Sequence, residues 1–189
     1  MTTTAHLDIT FDGLPWVVGP TENRPYDQWL AEVVPVMEQV LELPPDQPRL
    51  KAYLVAVLQR VGQDDEDSPL PYRMLRWLRL PDPPLVASFG LSTRGSDEDH
   101  DAYLLAADSG PVETPRVVEV EGAPAGVSVR RSVAYSEQEG GLLIEQRYLV
   151  DDGDPDHVAL LHVATRDPAD LVGALEDLDE VARRMRVAR

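Results

Sequence analysis

Hydrophobic and polar residues alternate most clearly near the C-terminal end of the chain, between positions 142 and 150. Apolar side chains recur on one side of an extended chain here: Leu142, Ile144, Tyr148 and Val150. Glu145 and Arg147 fall on the other side. Because successive side chains of a strand point to opposite faces, the pattern predicts a half-buried strand with one apolar and one polar face.

A second strand and a helix are predicted after this strand. Asp, Gly and Pro residues at 151–156 end the extended run. The apolar run His157–Thr165 then predicts a strand that pairs with the first as a hairpin. Asp167 followed by Pro168 is typical of a helix start. An apolar stripe predicts that this helix covers 168–187, and its members are Leu171, Leu175, Leu178, Ala182 and Met185.

The N-terminal third predicts one short strand and two helices. Residues 7–11 alternate between apolar and polar side chains, which indicates a strand. Apolar positions between Tyr26 and Leu41 have helical spacing, and Pro35 within them is expected to kink or divide the helix. A second helix is predicted from Pro48 to Gly62, because an uninterrupted apolar stripe lies between these two residues.

The middle of the chain predicts antiparallel strands separated by loops. The strands are expected at 72–80, 85–93, 116–120 and 127–135, although the spacing of Leu75, Trp77 and Leu78 in the first also fits a helical turn. The acidic runs at 63–68 and 95–100 are interpreted as solvated loops, and residues 103–107 fit no single state.

Helices thus flank a block of strands, which predicts an α+β fold with helices packed on an antiparallel sheet. We expect one domain over 1–189, with a strand and two helices in 1–62, strands in 72–165 and a helix in 168–187.

Composition narrows the classes of partner and the compartment. The chain carries 34 acidic and 17 basic residues, a net charge of -17, which argues against nucleic acid or anionic lipid as partners and permits a basic protein. The absence of cysteine excludes disulfides and thiolate chemistry. Residues 1–6 lack a basic segment followed by an apolar run, and no stretch is long enough to span a membrane. We therefore expect a cytoplasmic protein.

The sequence contains no recognised motif for catalysis, for cofactor binding or for metal binding. Asp152, Asp154 and Asp156 resemble the start of a calcium loop, but His157 replaces the glycine and Val163 the bidentate glutamate. The serines have no nucleophile-elbow setting, and no phosphate loop or dinucleotide fingerprint is present. The acidic residues lie mostly in runs on predicted loops and helix faces, not in isolated apolar surroundings. We expect no enzyme activity, no cofactor and no metal.

Aromatic and basic residues in the first half form the candidate contact to a partner. Their members are Trp16, Arg73, Arg76, Trp77 and Arg79. Aromatic and arginine side chains are enriched where proteins bind each other, although Trp16 also fits a core or lid position. The three arginines also fit a solvated face that balances the acidic charge of the chain.

Five segments of the second half form a further pattern over roughly 116–187, and they are Val117–Val120, Gly122–Gly126, Val127–Arg130, Gln146–Val150 and Ala159–Thr165. In these segments the chain resembles a group of actinobacterial proteins that we associate with the PsbP/Mog-type α+β sandwich. The chain departs from the pattern at Met185-Arg186-Val187, where Leu-x-Trp is common. The resemblance implies a non-enzymatic binding protein and supplies no catalytic residue.

Two hypotheses of function follow. The first is an acidic adaptor, accessory or immunity-like, that binds another protein through its sheet or its N-terminal helices. The second is a small-ligand-binding domain with a cleft between sheet and helices, near Trp16, Trp29 or Trp77.

Overall fold

The computed structural model describes residues 5–63, 70–77, 82–139 and 141–189, which contain helices and antiparallel strands in an α+β arrangement. The helices are α1 (Tyr26–Val40), α2 (Pro48–Gly62), α3 (Asp97–Leu104) and α4 (Pro168–Arg184). The strands are β1 (His6–Asp8), β2 (Val17–Val18), β3 (Tyr72–Arg76), β4 (Leu85–Thr93), β5 (Val118–Glu119), β6 (Ser128–Gln138), β7 (Gly141–Asp151), β8 (His157–Thr165) and β9 (Arg186–Ala188). The α+β class predicted from the sequence is confirmed.

The chain divides into two compact units. We call Pro15–Ser88 the insert unit and Met1–Leu14 with Phe89–Arg189 the terminal unit. Strand β4 begins in the first and ends in the second. The expectation of one domain over 1–189 stays a prediction.

The insert unit is built on the two predicted helices, α1 and α2. Pro48 is the first residue of α2. A backbone N–H at this position has no partner within the helix, so the N–H that proline lacks costs no hydrogen bond. Helix α1 continues through Pro35 as one element, so the chain is not divided there. The core consists of Trp29, Val33, Met37, Leu54, Leu58, Val61, Leu75 and Trp77. The strands of this unit are ordered β2-β3-β4.

The terminal unit is organised by three long strands in the order β8-β7-β6, with β4 beyond β8 and the short β5 at the other edge. The pairs β6–β7 and β7–β8 are antiparallel, and the predicted hairpin of β7 and β8 is confirmed. Helix α4 packs on β7 and β8, and α3 packs on β7. Strand β7 is therefore central to the unit.

The ends of α4 differ in how well the sequence indicates them. Asp167 caps the N-terminus, since its carboxylate accepts a hydrogen bond from the Ala169 N–H at 2.8 Å. The predicted end at 187 is wrong, because α4 stops at Arg184 and β9 follows. Strand β9 pairs with β1 in a two-stranded antiparallel sheet, and that long-range pairing ends the helix.

The acidic run 95–100 was predicted to be a loop, and this is wrong. Helix α3 begins within it at Asp97. Ser96 and Asp99 form a reciprocal capping box, and three acidic residues lie in the first turn, where they favour the positive end of the helix dipole. Leu104 is buried and holds the helix on the sheet. The Ser-x-x-Asp spacing was the available sequence signal.

Candidate functional site

The two tryptophans predicted to contact a partner lie inside the insert unit. Trp16 is 6% exposed and Trp77 is 9% exposed, so neither presents its indole face at the surface. The Trp77 Nε1–H donates to the Asp82 carbonyl at 2.8 Å. Trp16 Nε1 has no hydrogen-bond partner among the described residues. Both rings are thus buried in the unit, and their part in contacting a partner stays a prediction.

The predicted arginine group is not gathered on one face. Arg73 and Arg76 are three residues apart on β3, and an odd separation places them on opposite faces of a strand. A step of three would have kept them together only on a helix. Arg73 Nη1 donates to the carbonyls of Val61 at 3.3 Å and Gln63 at 2.8 Å, at the C-terminal end of α2. Arg79 lies outside the described residues.

A cleft of about 510 Å³ opens between α2 and the strands of the insert unit. Its lining residues are Tyr53, Val57, Arg60, Val61, Arg73, Pro83, Pro84, Val86 and Ser88. No tryptophan belongs to this lining, so the predicted cleft near Trp16, Trp29 or Trp77 stays a prediction. The volume falls within the range of about 300–1,000 Å³ typical of sites for small molecules.

We call this cleft the α2 cleft. One of its walls is formed by the apolar stripe of α2, and only part of that stripe is packed into the core. Leu54 and Leu58 of α2 are fully buried, whereas Tyr53 and Val57 are only half-buried. Val86 of β4 lies in the opposite wall. The sequence showed the stripe, but it could not show which members of it would remain open.

Two guanidinium groups give the α2 cleft positive charge within an acidic protein. Arg73 is held by the end of α2, as described above. Arg60 is exposed in the last turn of α2, and no carboxylate pairs with it among the residues that the structure describes. Ser88 adds a hydroxyl group to the lining. The arrangement suits a molecule with an apolar body and one anionic group.

The terminal unit contains a buried ionic network on β7. Glu145 and Arg147 were predicted on a polar face of a half-buried strand, but they are 5% and 4% exposed. The expectation is wrong because helices cover both faces of β7: Arg147 meets the α3 side at Tyr103, and the adjacent Tyr148 meets α4 at Asp179. Glu145 Oε1 lies 3.1 Å from His162 Nε2 and 3.2 Å from Arg147 Nη2.

Arg147 carries this network to α3 and the turn after it. Its Nη1 donates to the Asp108 carboxylate at 2.6 Å and to the Tyr103 carbonyl at 3.2 Å. The guanidinium carbon lies 5.4 Å from the centre of the Tyr103 ring, a cation–π contact. Tyr103 also donates its hydroxyl hydrogen to the Leu161 carbonyl at 3.1 Å. The network therefore fastens α3 to the sheet.

The protonation state of Glu145 follows from these contacts. The hydrogen bond from His162 is the strongest influence that lowers its pKa, with further lowering by Ser109 and Arg147. Together they outweigh desolvation and bring the pKa from 4.5 to about 2. Glu145 is thus a carboxylate at neutral pH, paired with the guanidinium of Arg147. A group held so firmly in its charged form is suited to structure rather than to general acid–base work.

The acidic turn after β7 holds a cluster that resembles a cation site. Single ligand atoms of Asp154, Asp156 and His157 all lie within 4.8 Å of one another. Arg189 already supplies a positive charge here, since its Nη2 donates to Asp156 at 2.6 Å and to Asp154 at 3.2 Å. The hydrogen bond from Arg189 is also the main cause that lowers the pKa of Asp154. The cluster supports no metal assignment.

Among the described helices, none combines the length and the apolar character needed to cross a bilayer.

Comparison with known proteins gives only distant structural likeness. No protein-family model matches the chain, and no curated protein matches it. A similar solved structure is that of LpqN, described as involved in cell envelope biogenesis of Mycobacterium tuberculosis. The two chains are 11% identical with a TM-score of 0.48 over 98% of this chain and 85% of that one. A likeness of this size supports no conclusion about what the present protein binds.

Proposed function

We propose that this protein is a non-enzymatic binding protein whose α2 cleft takes a small organic anion with an apolar body. The observation that carries the proposal is a cleft of about 510 Å³ that combines half-buried aliphatic walls with two guanidinium groups. No cofactor is part of the proposal.

The chemistry of the lining selects the ligand. Val57, Val61 and Val86 offer apolar surface, whose burial contributes about 25 cal/mol per Å² removed from water. Arg60 offers a charge without an ion-pair partner among the described residues. A ligand with an aliphatic or aromatic portion and a carboxylate or phosphate group would match both the apolar surface and the charge of Arg60. Its charge is attracted locally even though the whole chain carries -17.

Octanoate is a suitable first probe, and 1-octanol is its uncharged counterpart of similar length. Isothermal titration calorimetry with the full chain should show octanoate binding that octanol does not match, because only octanoate can pair with Arg60. Arg60→Gln should weaken octanoate binding about tenfold, the value of one charge-assisted hydrogen bond.

Arg49→Gln is the matched control, since Arg49 is also exposed on α2 but does not line the cleft. It should leave the dissociation constant unchanged. Equal binding of octanoate and octanol, or equal loss in both arginine variants, would refute the anion site. Native mass spectrometry of the protein purified from its host would then identify any molecule carried along.

A second candidate is the acidic protein-binding adaptor, favoured by the outer face of α1. Val36 and Val40 are 54% and 66% exposed and lie one helical turn apart. A neighbouring pair of exposed valines is a small apolar anchor for a partner. The net charge of -17 favours a basic partner, whose binding would weaken as salt rises.

Affinity purification from the host at low and high salt tests the adaptor. The double variant Val36→Ser and Val40→Ser should lose a partner that the wild type retains at low salt. Val172→Ser is the control, because Val172 is an exposed valine of α4. A partner retained equally by all three proteins would show that α1 is not the contact.

Membership of the PsbP/Mog-type family and a cytoplasmic location remain part of this proposal. The family assignment is supported by the strand–turn–strand–hairpin–helix order predicted over 116–187. Fractionation of host cells with an antibody to the protein tests the location, and recovery in the envelope fraction would contradict it.

A further inference from the structure

Strand β6 is paired on its outer side over only part of its length. Strand β5 covers it at Val118, opposite Arg131, and at Glu119, opposite Arg130. The Val120 N–H then donates to the Val129 carbonyl at 2.8 Å. Beyond Arg131, β6 continues to Gln138, and none of the described strands of that sheet lies beside it on this side.

The segment before β5 also bonds to β6, but in a register that differs from that of β5. The Val112 N–H donates to the Tyr135 carbonyl at 2.8 Å. Between that bond and the pair Val118–Arg131, the edge segment advances six positions and β6 advances four. In a regular antiparallel ladder the two chains advance equally, so two residues of the 113–117 segment are in excess and this segment bulges away from β6.

Pro115 gives the physical reason for the bulge. Proline has no N–H with which to complete a rung of the ladder, and it restricts the residue before it to extended conformations. It is buried, so the segment is fixed by packing of its ring rather than by pairing with β6. A cavity of about 480 Å³ lies where the pairing is interrupted.

Val133 forms part of the wall of this cavity. Its backbone N–H and C=O are a position of the ladder that the edge segment does not pair with. The carbonyls of Val129 and Tyr135 both point towards the edge. Backbone groups of alternate residues point the same way in an antiparallel strand, so the N–H and C=O of Val133 do too. No backbone hydrogen bond reaches Val133 from residues 113–117, all of which the structure describes.

We propose that this opening, the Val133 slot, binds the C-terminal end of an extended peptide from a partner protein. One peptide unit supplies the acceptor and donor that complete the rung at Val133, as in strand addition to a sheet edge. The slot is closed along the strand by the bonded pairs at Arg131 and Tyr135. A chain end can enter such a slot, whereas a strand that continues past both pairs cannot.

Charge selects the carboxyl end of the peptide. Arg116 is exposed in the lining and forms no ion pair with any described residue. Arg131 also lines the slot, and its Nε lies 3.4 Å from Asp179. A terminal carboxylate placed near Arg116 gains a charge-assisted hydrogen bond, while a terminal ammonium would be repelled. Pro115 and Val118 leave room for an apolar last side chain.

The test uses the full chain labelled with ¹⁵N. The probe is a mixture of acetylated pentapeptides that end in valine with a free carboxylate and have random residues elsewhere. Before addition, the Val133 amide should exchange with solvent faster than those of Ser132 and Ala134, which face β7. The free-acid mixture should shift the Val133 resonance and slow its exchange, and the same mixture with amidated C-termini should not.

Two variants with opposite expected signs complete the test. Arg116→Gln should weaken binding of the free-acid mixture at least about tenfold. Glu113→Gln should strengthen it, because a carboxylate of the lining is removed. Arg60→Gln should change nothing, which separates the slot from the α2 cleft.

Three results would overturn the proposal: a Val133 amide as protected as its neighbours, equal shifts with acid and amide peptides, or an Arg116→Gln variant that binds as the wild type does. Each is independent of whether octanoate binds to the α2 cleft.

Discussion

Replacement of Glu145 by glutamine tests the buried network of the terminal unit. The carboxylate is matched by His162 and Arg147, and the amide of Glu145→Gln keeps the shape but loses the charge. Breaking a buried ion pair on one side typically costs about 3–5 kcal/mol, because the remaining charge is left without its partner. Arg147 keeps Asp108, so we expect a loss of about 2–3 kcal/mol at pH 7.

The pKa of Glu145 adds a dependence on pH with a defined sign. The folded-state pKa of about 2 lies below the ordinary value of 4.5. A lowered carboxyl pKa stabilises the folded state above pH 4.5 and loses that effect as the pH falls towards 2. One pKa unit corresponds to about 1.4 kcal/mol, so the effect is at most about 3.5 kcal/mol, less where solvent screens the pair.

Urea unfolding followed by circular dichroism at pH 7, 5, 4 and 3 measures both effects. The difference in unfolding free energy between the wild type and Glu145→Gln should be largest at pH 7 and shrink below pH 4.5. Glu137→Gln is the control, because Glu137 is exposed on β6, and it should stay within about 0.5 kcal/mol of the wild type. A Glu145→Gln variant as stable as this control, or a difference that does not change with pH, would refute the reasoning.

Three further substitutions test the packing and capping of the helices, each by urea unfolding. A Cβ at Gly62 would lie 2.7 Å from Trp29 Cζ3, so Gly62→Ala should destabilise by about 1–3 kcal/mol. Trp29→Phe should destabilise by about 2 kcal/mol, because it opens a cavity in the core and removes one of the two side-chain hydrogen bonds that the Val18 carbonyl accepts, the other coming from Arg24. Asp167→Ala should destabilise by about 1 kcal/mol through loss of the N-cap of α4, and equal stability of wild type and variant would contradict the capping argument.

The candidate contact residues show which information a local sequence pattern lacks. Arg73 and Arg76 follow each other at a spacing that would cluster them on a helix, yet they lie on a strand and face opposite ways. Trp16 and Trp77 were candidates for a surface because large aromatic side chains serve interfaces and cores alike. Burial is decided by what packs above a residue, and the sequence around each tryptophan does not contain that information.

Local patterning alone determined most of the elements. Strands β4 and β8 have the bounds that alternation predicted, and Pro48 and Asp167 mark the starts of α2 and α4, because period, caps and turn residues act over a few neighbouring positions. The tertiary structure decided the rest. It buried Glu145 on a strand covered from both sides, left part of the α2 stripe open as a cleft, and left Val133 unpaired beside a proline bulge. These features depend on contacts between segments far apart in the chain, which no short window of sequence specifies.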